Sequence, residues 1–175
     1  MTLTDSLEPF LLRRVFGTFP TGVTALAAVL DGRPQGIAVS AFTPVSLEPA
    51  MVLVCVARSS TTWPSLSKAP RLGISVLAAD QERACRQLSA RDGDRFADLG
   101  WRTTDNGAVL LEGASAWFEC SVEQLAPAGD HEIVVLRVHD LDGDHAVSPL
   151  VFHGSRFRRL HPEQSSGNAG NGDSR

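Results

Sequence analysis

Short apolar runs of strand length, cut apart by turn dipeptides, fill most of this chain and leave little room for helix. Asp31-Gly32, Asp92-Gly93, Asn106-Gly107 and Glu112-Gly113 punctuate it. Such pairs supply the left-handed backbone that tight turns require. Gly22 to Leu30 is a Val/Thr/Ala/Leu run, and Asp31-Gly32 predicts a hairpin into a second extended run through Ser40. Met51 to Ala57 and Leu72 to Leu77 are continuous apolar runs, expected as strands covered on both faces. Ala116 to Leu125 alternates. Ala116, Phe118, Cys120 and Val122 share one face, and Trp117, Glu119, Ser121 and Glu123 the other. Ile133 to Leu141 reads as another strand, and Leu150 to Phe152 with Arg156 to Leu160 as a final short pairing.

Helical signals are few. Residues 5 to 17 form one candidate, with Pro9 early, Gly17 at the end, and Phe10, Leu11, Arg14 and Val15 along one side. Asp80 is placed as the N-cap of a helix to about Ser89, with Ala84, Cys85 and Leu88 facing inward. Residues Trp63 to Lys68 can begin a short third one, with Pro64 in its first turn. The fold class expected is therefore mainly β with a few helices, a barrel rather than a doubly wound sheet. The 175 residues suit one domain, placed at 1–160. From His161 onward the Ser, Gly, Asn and Asp composition predicts a disordered tail, 161–175.

Composition removes several functions. A net charge of −4 argues against non-specific nucleic-acid binding. No apolar run approaches the roughly 18 residues of a membrane span. The charged N-terminus does not read as a signal peptide, so a cytoplasmic location is expected. Cys55, Cys85 and Cys120 are odd in number and lack CxxC spacing. They are expected as free thiols of a reducing compartment, with no metal site. There is no GxGxxG, no GxxxxGK[ST] and no nucleophile elbow. A Rossmann site, a P-loop and a Ser-His-Asp hydrolase therefore have no support.

Four stretches carry candidate chemistry. Gly36 to Thr43 is a strand end with small residues (Ala38, Ser40, Ala41) that let a flat ligand approach the backbone, followed by Phe42 and Thr43. Cys55 to Thr62 ends in a cation and four hydroxyls, Arg58-Ser59-Ser60-Thr61-Thr62, directly after a strand and before a helical signal. Hydroxyls and turn N–H groups of this kind suit an anion. Asp94-Arg95-Phe96 lies in the turn-rich segment 90–114. Gly129-Asp130-His131 puts a histidine at a strand start.

In this order and spacing the stretches resemble the flavin reductase-like family, over roughly residues 9 to 160. The resemblance implies a split β-barrel and NAD(P)H-dependent reduction of FMN or FAD. It assigns flavin contacts to Ala38, Val39, Ser40, Ala41, Phe42, Thr43 and Cys55. It implies phosphate contacts by Ser59, Ser60 and Thr62, with Arg58 beside them. Arg95 and Phe96 are implied at the flavin, Phe96 by packing on its ring or ribityl chain. His131 is implied as the catalytic residue that holds the nicotinamide nucleotide over the flavin, and Arg156 as a contact to dinucleotide phosphate. The family often has Asn-Ser where Ser40-Ala41 stand, and its closing-strand glycine falls one place later than Gly154. A homodimer with flavin sites near the subunit interface, and a separate monooxygenase receiving the reduced flavin, are also implied. Two alternatives remain open on the residues alone. One is a flavin-binding or electron-transfer protein without its own hydride donor. The other is a flavin-dependent oxidoreductase acting directly on an organic substrate.

Overall fold

The structure, a computed structural model, describes residues 7–160. The tail read from residue 161, and the first residues of the N-terminal helix candidate, lie outside them. Helix α1 spans Pro9–Phe16 and is followed by β1 (Thr21–Gly22), β2 (Thr24–Leu30), β3 (Arg33–Val39), β4 (Phe42–Leu47) and β5 (Ala50–Ala57). Next come α2 (Trp63–Leu66), β6 (Leu72–Val76) and α3 (Glu82–Leu88). The rest is strand: β7 (Trp101–Thr103), β8 (Val109–Leu111), β9 (Ala116–Ala128), β10 (His131–Gly143), β11 (Val151–His153) and β12 (Arg156–Arg158).

Seven strands form one antiparallel sheet in the order β3-β2-β6-β9-β10-β5-β4. The sheet curls until β3 comes back against β5, giving the split barrel. Its interior holds Leu26, Ile37, Val39, Val52, Val54, Val56, Leu72, Ile74, Cys120, Val134 and Leu136. The period-2 alternation of the strands then decides what lies outside. Ala25 and Ala27 on the opposite face of β2, with Val23 just before it, meet α3 (Ala84, Cys85, Leu88), β8 (Val109, Leu111) and Phe96 in a second core. That explains why β2 is apolar on both faces.

Turn chemistry sets the registers. Asp31 and Gly32 both take left-handed φ, 51° and 74°, as the two central residues of a type I′ hairpin must. Gly154 and Ser155 do the same between β11 and β12, at 58° and 59°. The glycine that stands one place early therefore fills the first left-handed position, and Ser155 bears the second. Gly73 lets β8 lie directly on β6: a Cβ there would meet the Val109 carbonyl oxygen at 2.0 Å. Burial pushes the Cys120 thiol up to about 12, aided by the charge of Glu119. Burial also raises that of Cys85. Neither is a nucleophile at neutral pH.

No residue of α1 is buried, and Phe10 and Phe16 are exposed, so its apolar side faces away from the core. Three expectations need correcting. The N-cap of α3 is Gln81, not Asp80. Gln81 is held there because its Oε1 accepts from the Ala78 N–H and its Nε2 donates to the Glu112 carbonyl. On β5, only Val52, Val54 and Val56 are buried, while Met51, Leu53, Cys55 and Ala57 are half-buried on the outer face. The turn-rich segment 90–114 contains the β7–β8 pair, strands too short to show a period.

Candidate functional site

The outward side of β3 forms one wall of the site. Ile37 and Val39 point into the barrel, which leaves Gly36 and Ala38 facing outward. Three adjoining cavities run along this wall. The middle one, about 640 Å³, is bounded by Ala38, Ala57, Ser59, Ser60, Thr61 and Ser89, among others. Toward the β11–β12 hairpin it adjoins a cavity of about 400 Å³ walled by Ala38, Ser40, Arg86, Phe152 and Phe157. In the other direction it meets a cavity of about 760 Å³ walled by Gly36, Thr62, Arg95, Phe96 and Trp101.

The hydroxyl loop after β5 is held from several sides. The Ser60 N–H donates to the Ala57 carbonyl at 2.9 Å and the Arg58 N–H to the Asp130 carbonyl at 2.9 Å. The Trp63 N–H donates to Ser60 Oγ at 3.2 Å. The buried Trp63 ring donates through Nε1 to Glu132 Oε2 at 2.8 Å, which ties the loop to β10. Arg95 is a strut: its Nη1 donates to the Gly36 carbonyl at 3.1 Å and to Thr62 Oγ1 at 2.8 Å. Helix α2 is only four residues long, so its dipole adds little to the loop's own N–H and hydroxyl groups.

Phe96 is 6% exposed and packs in the second core, while still bordering the cavity of about 760 Å³. Gly36 makes room for it, since a Cβ at Gly36 would meet Phe96 Cζ at 2.9 Å and the Leu26 carbonyl at 2.8 Å. The same missing side chain brings bare β3 backbone to the cavity wall, as a flat ligand pairing with that edge requires.

His131 opens β10 because Gly129, at φ 63°, and Asp130 close a two-residue hairpin with β9. Its Nδ1 lies 2.7 Å from Asp130 Oδ1. The hydrogen bond to His131, then its charge, holds the Asp130 carboxyl below the usual range. An ionised carboxylate only accepts, so Nδ1 carries the proton and Nε2 is left free. His131 is paired with Ala57, which lines the middle cavity, but is not itself in a wall.

Of the sequence-derived candidates, Ala38, Val39, Ser40, Ser59, Ser60, Thr62, Arg95 and Phe96 come together along the cavities. Ala41, Phe42, Thr43, Cys55, Arg58 and Arg156 line none of the three. Phe42 turns to the barrel interior, with its ring 5.6 Å from that of Phe118. The Ala41 carbonyl accepts from the Cys55 N–H, and Thr43 sits opposite Leu53. Cys55 lies half-buried on the outer face of β5. Arg156 is exposed on β12, where alternation sends Phe157 to the cavity in its place. Thr61, Arg33, Ser89 and Arg91 also line the cavities. Thr61 was visible within the hydroxyl run; nothing in the sequence pattern marks the other three. Among the described residues, no group of three or more His, Cys, Asp or Glu gathers as a metal site.

The sequence model of the flavin reductase like domain matches residues 16–161. The chain is 38% identical to a flavin reductase of Pseudomonas putida, over 85% of this chain and 88% of that one. It is 32% identical to the reductase subunit of a flavin-dependent monooxygenase of Rhodococcus jostii, over 92% and 83%. Among solved structures it superposes on a Streptomyces globisporus NADH:FAD oxidoreductase in complex with NAD and FAD fragments. That match has a TM-score of 0.86 at 37% identity and covers 93% of this chain and 99% of that one.

Proposed function

The chain belongs to the flavin reductase like domain family, and on that premise we propose that it takes hydride from NADH or NADPH to reduce FMN or FAD, supplying the reduced flavin to a separate monooxygenase. The observation that carries this is the middle cavity: the loop hydroxyls Ser59 to Thr61 face the bare outer edge of β3 across about 640 Å³, and Thr62 lines the adjoining cavity of about 760 Å³. The donor set fits a flavin nucleotide. Loop hydroxyls and N–H groups suit its phosphate, and β3 backbone suits the polar edge of a flat ring.

A bound flavin supplies the acceptor for hydride, and that transfer needs stacking at about 3–3.5 Å rather than a general base. The protein's work is therefore to hold and exclude. Ser59, Ser60 and Thr62 hold the phosphate, with Thr61 beside them, and Arg95 holds Thr62. Gly36, Ala38 and Val39 present backbone to the ring. His131 orients the nicotinamide nucleotide through its free Nε2, its ring fixed by Asp130.

The reading extends to a homodimer. The outer faces of β5 and β10 leave Leu53, Cys55, Ile133 and Val135 half-buried, and α1 leaves Phe10 and Phe16 exposed. Among the described residues no helix is long and apolar enough to cross a membrane. The three cysteines are free, in keeping with a cytoplasmic location.

Steady-state oxidation of NADH and of NADPH with FMN, FAD and riboflavin in turn tests the reading. Multiple turnovers of free flavin per protein are expected with at least one pair. A protein that binds flavin but oxidises neither nucleotide above background is a carrier, and the reductase reading fails.

A further inference from the structure

One carboxylate stands where strand alternation calls for an apolar side chain. Val134 and Leu136 of β10 belong to the barrel interior, so Glu132, two places earlier, points the same way. Its register partner on β5 is Val56, buried in that interior. A carboxylate in such a position is costly unless it is hydrogen-bonded. Among the described residues no cation pairs with it. Its Oε2 instead accepts from Trp63 Nε1 at 2.8 Å, and Trp63 is 5% exposed within the same core.

Trp63 is also where the hydroxyl loop is held. Its backbone N–H donates to Ser60 Oγ at 3.2 Å. That bond takes a lone pair of the hydroxyl and leaves its proton to donate, at the wall of the middle cavity that Ser60 lines. Helix α2 has four residues and no side-chain cap, too little to fix the Trp63 N–H by itself. The indole anchor on β10 supplies what the helix lacks. The Asp130 carbonyl grips the loop separately, through the Arg58 N–H at 2.9 Å. The residues on either side of His131 therefore hold the loop by two independent bonds.

We propose that Glu132 is a positioning residue: by holding the Trp63 indole it sets the Trp63 N–H, and through it the Ser60 hydroxyl, for the flavin phosphate. The inference rests on the flavin-reductase reading, in which Ser60 holds that phosphate, and deepens it. A carboxylate that only satisfied a buried indole would support the fold, and its loss would weaken every ligand alike.

FMN and riboflavin are titrated by flavin fluorescence against the unaltered protein, Glu132→Ala, Glu132→Gln and Trp63→Phe, and KM for NADH is measured alongside. Glu132→Ala is expected to weaken FMN about ten-fold, the lower end for one bond to a charged group, and to leave riboflavin unchanged. Glu132→Gln keeps an acceptor for the indole and is expected to restore most of the FMN:riboflavin ratio. Trp63→Phe removes the donor without leaving a buried N–H unmet. It is expected to repeat the alanine effect and to add nothing to it when the two are combined, and it carries the test if Glu132→Ala folds poorly. KM for NADH is expected to hold in all of them, because Asp130 still fixes the His131 turn. An alanine variant that keeps the ratio, or loses both ligands equally, overturns the proposal and leaves Glu132 to the fold. So does a glutamine variant as weak as the alanine one, which puts the effect in the charge, and so does a raised KM for NADH with the ratio intact, which gives Glu132 to the histidine turn. Equal affinities for FMN and riboflavin in the unaltered protein also overturn it. An unaltered protein that binds neither flavin and oxidises neither nucleotide removes the reductase reading itself.

Discussion

At the histidine that starts β10, the neighbouring carboxylate decides which nitrogen is free. Asp130 Oδ1 accepts the hydrogen bond of the Nδ1–H at 2.7 Å, so Nε2 is the atom His131 can offer to a nucleotide. The side chain is about 45% exposed and carries little packing. His131→Ala should therefore keep the fold and keep flavin affinity, since the flavin loops lie elsewhere. The rate of reduction of bound flavin should fall on the order of 10²-fold, the cost of a misplacement of about 1 Å. Stopped-flow reduction at rising NADH reads this, and an unchanged limiting rate with unchanged nucleotide dependence returns His131 to a turn residue. The hydroxyls call for a different comparison. Ser60 Oγ already accepts from the Trp63 N–H and Thr62 Oγ1 from Arg95, which leaves each a hydroxyl proton to donate. Ser60→Ala/Thr62→Ala should weaken FMN far more than riboflavin, by roughly 1.5–3 kcal/mol per lost bond to a charged group. Equal weakening of both in a binding titration excludes phosphate contact. Residue identity was readable where chemistry shows in the letter, as in the hydroxyl run. The place of Arg95 at the site was readable but its role as a strut was not, since its bond to the Gly36 carbonyl spans 59 positions; Arg156 was misplaced, because strand alternation turns it away from the cavity that Phe157 reaches.

Elements were legible where one period or one turn governs them. The β2–β3 hairpin follows from Asp31-Gly32, and the alternation of β9 puts Cys120 in the barrel with Phe118 and Val122 packed beside it. The β7 and β8 strands, three residues each, are shorter than any pattern can show. They exist because of a tertiary contact: β8 lies on β6, with the Leu111 N–H donating to the buried Ser75 Oγ at 2.9 Å. The outer face of β5 was misread for a related reason. An apolar run looks alike whether its second side is covered by the same chain or by another. Gly73 makes the β6–β8 contact possible, and Gly73→Ala tests it. The added Cβ would sit 2.0 Å from the Val109 carbonyl oxygen, and backbone on both sides cannot simply rotate away. The expected loss is at least about 1–3 kcal/mol, as for overpacking, read as a lower urea midpoint with unchanged slope. A midpoint equal to that of the unaltered protein would show that β8 yields freely and that the second core is softer than its packing implies.

At the scale of the whole molecule, the half-buried outer face of β5 and β10 is what remains to be covered. Cys55 pairs in register with Ile133 and Leu53 with Val135, so these apolar side chains form one patch across two strands. The patch runs to Ala57 and His131, also register partners, and Ala57 is already a wall of the middle cavity. A second copy laid on this face would therefore end at the candidate site and help close it. A stable dimer needs on the order of 1,600 Å² buried in total, and the exposed α1, with Phe10 76% and Phe16 69% accessible, adds apolar area of the kind such an interface uses. The expectation is a dimer at micromolar concentration by sedimentation velocity. Leu53→Arg/Val135→Arg places two unpaired charges in the middle of the patch, where burying them costs several kcal/mol. That variant should sediment as a monomer with its barrel intact by near-ultraviolet circular dichroism. Because the same face borders the cavity, flavin affinity should fall with dissociation, both in the variant and on dilution of the unaltered protein. A monomer that binds flavin as tightly as the dimer would separate the interface from the site, and an unaltered protein that is monomeric throughout would leave the outer face to another partner.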